Sequence, residues 1–371
     1  MRIAFLCKRR YMSKDVILDR YARLYEIPHQ LALLGHEVLG LCMSYQNAAP
    51  GQWTHDAAPG TLQWESYAAG RAIVPALAAY PARMLKRLRA FKPDVLIGAS
   101  DIPHVVLTAW LARRLGVPYA IDLYDNFEGF GQARIPGFVP ALRRAVREAG
   151  LVTSTSSPLQ AMVQQDYQAQ GKVLAMPSTV DQIVFRSFDQ QQCRQALGLP
   201  LDTELIGTAG GLMQERGIGD LYQAWEQLST TRPTVHLVLA GPTDTKLLPP
   251  QHPRVHYLGM LAHADTAKLF GALDVGVIYL RDTPFGRFCF PQKAYEMQAC
   301  QLPVVATNVG VMPHLLASVP QALYQAGSAQ DLVRALEFQL SQRLLPDLPV
   351  ENWGQVVGRM EQDLRTLVGT A

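Results

Sequence analysis

Residues Phe290 to Thr307 read FPQKAYEMQACQLPVVAT, and this run decides how the rest of the chain is read. Pro291 opens a helix readily, because its missing N–H would be unpaired at that position anyway. A helix over Pro291–Cys300 puts Lys293 and Glu296 three residues apart, on one face near its start. Helix N-termini gather unpaired N–H groups and partial positive charge, which suits a phosphate. A lysine and a carboxylate beside such an end point to an anion attached to a polyol. A nucleoside diphosphate linked through ribose fits that description. After the helix, Pro303–Thr307 has the apolar, β-branched character of a buried parallel strand. Lys293 and Glu296 alone also fit an ordinary surface pair worth a few tenths of a kcal/mol, so the weight comes from the surrounding chain.

With 371 residues, 49% hydrophobic and 18% charged, the chain reads as globular and long enough for two domains. Its five cysteines, at 7, 42, 193, 289 and 300, are odd in number, scattered and without a CxxC pair. That argues against a disulfide framework or zinc site and suits a reducing compartment. The apolar run Ile3 to Cys7 is too short for the core of a secretion signal before Lys8, Arg9 and Arg10 intervene. A cytoplasmic protein is expected. Residues 1–185 carry a net +6 and residues 186–371 a net −3. The basic half suits an anionic membrane surface or a phosphorylated acceptor, and equally an ordinary solvated surface. No nucleic-acid motif accompanies it.

Short apolar runs alternate with amphipathic ones, the pattern of parallel βαβ units. In the first half, strands are expected at Arg2–Cys7, Glu37–Cys42, Asp94–Ala99, Pro118–Leu123, Leu151–Thr155 and Val173–Met176. Helices are expected at Tyr21–Leu34, Ala82–Phe91, His104–Leu115, Val139–Ala149 and Pro158–Gln170. The alternation resumes near Glu204. Strands follow at Leu205–Ala209, Val235–Ala240, Val255–Leu258, Val275–Leu280 and Pro303–Thr307. The helices of that half are Gly217–Leu228, Ala264–Ala272, Pro291–Cys300, Ala329–Leu340 and Trp353–Leu367. The fold class is α/β: two doubly wound, Rossmann-like domains over 1–185 and 186–351, divided in a polar, glutamine-rich stretch. Ligands of such sheets lie outside the strand carboxyl ends.

The Pro291, Lys293, Glu296 pattern resembles the PxKxxE variant of the signature of glycosyltransferase family 4, retaining enzymes with the two-domain GT-B fold. The stricter form has two glutamates with seven residues between them, and at the earlier position this chain has Phe288. HQLALLGHEVLGL, from His29 to Leu41, also resembles a GT-B N-terminal unit, with His36 as a turn residue. The resemblance implies that Glu296 binds the donor ribose, and that residues 352–371 form a helix packing back on the first domain. It assigns the donor to the second domain and the acceptor to the first.

GTAGGLMQERGIGDLYQAW, from Gly207, follows a strand and opens a helix. Gly210 and Gly211 permit a tight turn against a diphosphate, and Arg216 offers forked donors to its oxygens. The family usually has an arginine where Gly211 stands and a lysine where Arg216 stands, so Lys293 is expected to supply the missing charge. AGPTD, with Gly241, and YLGML, with Leu258, resemble the loops that bracket the base. TPFGRFCF resembles the donor loop, with Gly286 and Phe290 facing sugar and phosphate and Arg287 facing either a substrate or solvent. In the first domain, Tyr124 and Asp125 stand where relatives carry a His or an Arg-Asp pair. Asp125 reads as an acceptor or sugar ligand, or as a loop cap. His104 is a candidate lining residue, while Asp101 reads as an N-cap.

Lys8, Arg9, Arg10 and Lys14 suggest a pocket for an acceptor phosphate such as a polyprenyl-diphosphate sugar. Pro81–Lys92, PARMLKRLRAFK, suggests a basic helix on a membrane, or simply a solvated face. Neither a hydrophobic-flanked Asp-x-Asp nor a His/Cys ligand cluster appears, so no metal and no cofactor beyond the nucleotide-sugar co-substrate is expected. Arg216 and Lys293 would then neutralise the leaving diphosphate, with Asp125 and His104 as candidates beside the reacting carbon. The acceptor is expected to be a glycan or lipid-linked intermediate of bacterial surface or exopolysaccharide synthesis. Another GT-B activity, such as nucleotide-sugar epimerisation or phosphorolysis, and a non-catalytic partner subunit of the same fold stay open.

Overall fold

The computed structural model describes residues 1–12, 14–46, 48–68 and 73–369. The chain forms two compact units, Met1–Ser178 with Trp353–Ala371, and Thr179–Asn352. The division falls earlier than the expected 185/186 boundary. Its cause is burial: Val180 and Phe185 pack into the core of the second unit.

The first unit is built on an eight-stranded sheet. In spatial order its strands are Lys172–Ala175, Leu151–Ser154, Tyr119–Leu123, Val95–Ala99, Arg2–Lys8, Glu37–Ser44, Thr61–Ala68 and Gly51–His55. All neighbours pair in parallel except the last, which runs antiparallel to Thr61–Ala68. The central strands are buried on both faces, as a doubly covered parallel sheet requires. Side chains alternate between faces. Ile3, Phe5, Val95 and Ile97 pack with the helices Ala22–Leu33 and Trp353–Gly369. On the other face, Gly98 lets helix Ile102–Leu115 approach so closely that an added Cβ would lie 2.5 Å from Thr108 Oγ1.

The last helix joins this unit through Trp353, Val356, Val357, Met360 and Leu364, and through an ion pair of 2.7 Å between His36 Nε2 and Glu361. Residues 370 and 371 of the expected return helix lie outside the described residues. His36 is thus a clamp at a turn. The strands Gly51–His55 and Thr61–Ala68 fall where no element is expected, and helix Ile73–Phe91 starts well before the expected Ala82.

The second unit carries a six-stranded, all-parallel sheet in the order Val255–Tyr257, Val235–Ala240, Glu204–Ala209, Val275–Ile278, Val304–Thr307 and Leu323–Tyr324. Helices Ile218–Thr231 and Ala329–Gln342 cover one face with Leu221, Trp225, Leu332 and Leu336. Gln190–Ala196, His263–Ala272 and Lys293–Ala299 contribute to the other core. The glutamine-rich stretch expected as a linker is therefore partly a helix of this unit. Cys193 is buried in its core, and Arg194 pairs with Asp274 at 2.8 Å.

Candidate active site

Strand order brings the carboxyl ends of Glu204–Ala209 and Val235–Ala240 together in the second unit. Gly210 and Gly241 follow them with φ of 121° and 120°, a region that side chains rarely occupy. A Cβ on Gly241 would lie 2.1 Å from the Gly210 carbonyl oxygen, so the two turns pass only as glycines. Backbone bonds join them: Gly210 N–H donates to Ala240 O at 2.9 Å and Gly241 N–H to Gly259 O at 2.7 Å. Leu258 donates its N–H to Leu239 O at 2.9 Å and packs against the core.

Two cations converge on this glycine turn. A Cβ on Gly210 would sit 3.2 Å from Lys293 Nζ, and one on Gly211 would sit 3.8 Å from Arg216 Nη1. Lys293 Nζ lies 5.2 Å from the Tyr279 ring centre, and the Tyr279 hydroxyl donates to Gly211 O at 2.9 Å. The Arg216 guanidinium lies 5.2 Å from the Phe285 ring centre. Among the described residues neither cation forms an ion pair. Tyr279 and Phe285 were not singled out from the sequence; the only signal for Tyr279 was an aromatic residue ending a buried strand.

Lys293 opens the short helix Lys293–Ala299, two residues later than expected, because Pro291 and Gln292 form the preceding turn. One turn on, Glu296 is half-buried. Desolvation pulls the Lys293 ammonium down to about 8, against the attraction of Glu296, with Arg216 adding to the depression. Burial likewise pushes the Glu296 carboxyl up to about 7, against the attraction of Lys293. Burial thus dominates both shifts, and the attraction between the two groups only partly offsets it.

The expected donor loop differs from the sequence reading. Pro284–Phe288 is a short helix, capped by Thr283 Oγ1 accepting from Gly286 N–H at 3.3 Å. Gly286 is buried, and a Cβ there would lie 2.1 Å from Arg281 O, so its lack of a side chain serves packing inside the protein. Phe290 is turned onto Tyr295, with ring centres 4.9 Å apart, beside the core. Arg287 is exposed and held by Asp282.

In the first unit, Asp101 caps the helix by accepting from His104 N–H at 3.0 Å and also holds His104 Nδ1 at 2.6 Å. His104 is buried between Tyr45 and Tyr80, with Nε2 unpartnered among the described residues. This corrects the expectation of an imidazole lining an open site: the capping carboxylate turns it inward. Asp125 is half-exposed, and its Oδ1 accepts from Asn126 N–H at 2.7 Å, the local capping geometry. The basic run is dispersed. Arg9 is buried and bonded to Asp15, Ala49 O and Ser66, and Arg10 reaches Gln46. Lys8 bonds the Tyr124 hydroxyl at 3.0 Å. Among the described residues no group of three or more His, Cys, Asp and Glu side chains could hold a metal ion.

Residues 22–178 match the family model described as a glycosyl transferase 4-like domain, and residues 203–342 match that of glycosyl transferases group 1. The chain is 26% identical over 280 residues to the putative teichuronic acid biosynthesis glycosyltransferase TuaC of Bacillus subtilis, covering 76% of this chain and 68% of that protein. It is 28% identical over 263 residues to the D-inositol 3-phosphate glycosyltransferase of Mycobacterium tuberculosis, covering 64% of this chain. That alignment spans 52% of the mycobacterial protein, about half its length. Sucrose-phosphate synthase from Thermosynechococcus elongatus superposes with a TM-score of 0.75 at 17% identity, over the whole of both chains. Anabaena HepE in complex with UDP and glucose gives 0.67 at 19%, again over the whole of both. At these identities the structural likeness establishes the fold.

Proposed function

Because the chain belongs to the group 1, 4-like glycosyltransferases and has their GT-B fold, we propose that it moves a sugar from a nucleotide-sugar donor, with retention, to a glycan or lipid-linked acceptor. The observation that carries this reading is the convergence of Lys293 and Arg216 on the Gly210–Gly211 turn, with Glu296 one helical turn away. The diphosphate would lie against the glycines, where backbone can approach closely. Lys293 and Arg216 would neutralise the charge that builds on it as the sugar departs. Glu296 would accept hydrogen bonds from ribose hydroxyls. In a retaining transfer the acceptor oxygen attacks the face from which the phosphate leaves, so that phosphate can take the acceptor's proton without a protein base. No metal ion or further cofactor enters the proposal.

HepE and a trehalose-6-phosphate protein, both bound to UDP or a UDP-sugar, support a uridine donor. TuaC, named for teichuronic acid, supports a surface-polysaccharide acceptor. No helix is long and apolar enough to cross a membrane among the described residues. Helix Ile73–Phe91 exposes Arg83, Lys86 and Arg89 and contains no acidic residue, which supports peripheral contact with an anionic membrane from the cytoplasmic side. Thermal shifts against UDP-, GDP-, ADP- and TDP-sugars, with and without EDTA, test the donor site. A selective, EDTA-insensitive rise in Tm is expected. No shift with any nucleotide would overturn the reading in favour of a non-catalytic subunit.

A further inference from the structure

At the carboxyl end of the first sheet, three neighbouring strands are tied by one residue. Ser100, which follows Val95–Ala99, is fully buried and holds φ of 85°, in the left-handed region that a residue with a side chain rarely occupies. From that conformation its Oγ accepts the Lys8 backbone N–H at 2.8 Å, and its carbonyl accepts the Tyr124 hydroxyl at 2.9 Å. Tyr124 in turn receives one hydrogen of the Lys8 ammonium at 3.0 Å. The other two ammonium hydrogens have no partner among the described residues, and Lys8 enters no ion pair there.

The ammonium is set in an aromatic wall. Its nitrogen lies 5.6 Å from the Tyr124 ring centre and 5.7 Å from that of Phe130. Phe127 joins those two rings, at 5.2 and 5.0 Å, and Tyr11 stands 4.8 Å from Tyr124. Lys8, Tyr124 and Phe130 are each half-buried, so the wall is reached from solvent. Burial lowers the Lys8 pKa against the pull of Asp101 and Asp125, so an incoming anion would relieve a partly desolvated charge. Aromatic faces stack on the C–H faces of pyranose rings, whereas a fixed ammonium with spare donors selects a compact anion.

We infer that Lys8, held by Ser100 and Tyr124 within the wall of Tyr11, Phe127 and Phe130, determines acceptor specificity by binding a carboxylate or phosphate carried on the acceptor sugar. This rests on the proposed transferase reading and names its acceptor class: an acidic or phosphorylated pyranose in place of a neutral one.

Isothermal titration of the full chain with methyl β-glucuronide against methyl β-glucoside, and with glucose 6-phosphate against glucose, tests it. One or both anionic sugars should bind about tenfold more tightly than the neutral counterpart, and which one does so separates carboxylate from phosphate. The preference should vanish in Lys8→Met, survive in Lys8→Arg and shrink as salt is raised. Equal binding of charged and neutral sugars, a preference that outlives Lys8→Met, or no measurable binding of any of the four would overturn the inference. Nucleotide titration of the same preparations keeps the two readings apart. Intact nucleotide binding without anion preference sinks only the Lys8 assignment, while absence of nucleotide binding sinks the transferase reading itself.

Discussion

Lys293 and Glu296 are individually unremarkable residue types placed in an environment that makes each reluctant to be charged. With Glu296 pushed up to about 7 and Lys293 pulled down to about 8, both are ionised together only in the interval between. Below it Glu296 gains a proton and loses acceptor capacity; above it Lys293 loses its charge. Donor kcat/KM should therefore trace a narrow bell centred between those values, read in a pH series. The free protein should gain stability as pH rises from about 8 towards the ordinary lysine value of 10.5, because the unfolded chain binds the proton that folded Lys293 releases. A bound diphosphate restores that proton. Nucleotide binding at pH 9 should accordingly take up protons, measured as a dependence of the calorimetric heat on buffer ionisation enthalpy. Lys293→Ala should cost about 10²–10³ in kcat, since it removes charge where the leaving group develops it. Glu296→Gln should cost about 10–100-fold, read mainly in donor KM.

Among the elements, the strand-turn junctions carry the site, and they were only partly legible beforehand. Gly210 and Gly241 stand out in the sequence because each ends an apolar run. That their backbones touch is a product of sheet order, which local pattern does not reveal. Gly241→Ala would drive a methyl into the Gly210 carbonyl at a φ of 120°. It should lower the stability of the second unit by about 2–4 kcal/mol and weaken nucleotide binding, measured by urea titration with and without nucleotide.

Parallel strands were readable because burial on both faces makes them continuous apolar runs, as in VLIGA at Val95–Ala99. Thr61–Ala68 was missed because Gln63 and Glu65 interrupt its apolar pattern towards the sheet edge. The inward turn of His104 and the left-handed Ser100 had no sequence signal. Each depends on a contact made after folding, with Asp101 in one case and with Lys8 and Tyr124 in the other. Lys8 itself was visible only as one of several basic residues; strand order singled it out.

For the whole molecule, the two units have separate cores, and predictions about stability divide along that line. Met360 is fully buried among residues of the first sheet, so Met360→Ala should cost that unit about 2–5 kcal/mol. Calorimetry should show the loss in the first unit, while nucleotides still stabilise the second.

The membership of Trp353–Gly369 in the first unit also has a consequence for synthesis. A ribosome delivers the opening 178 residues long before this helix exists, and it completes every residue of the second unit in between. The half of the protein that is translated first is thus the half that finishes folding last. Until then, the surface of Ile27, Leu31 and His36 that the helix will cover is left open to chaperones or to proteases.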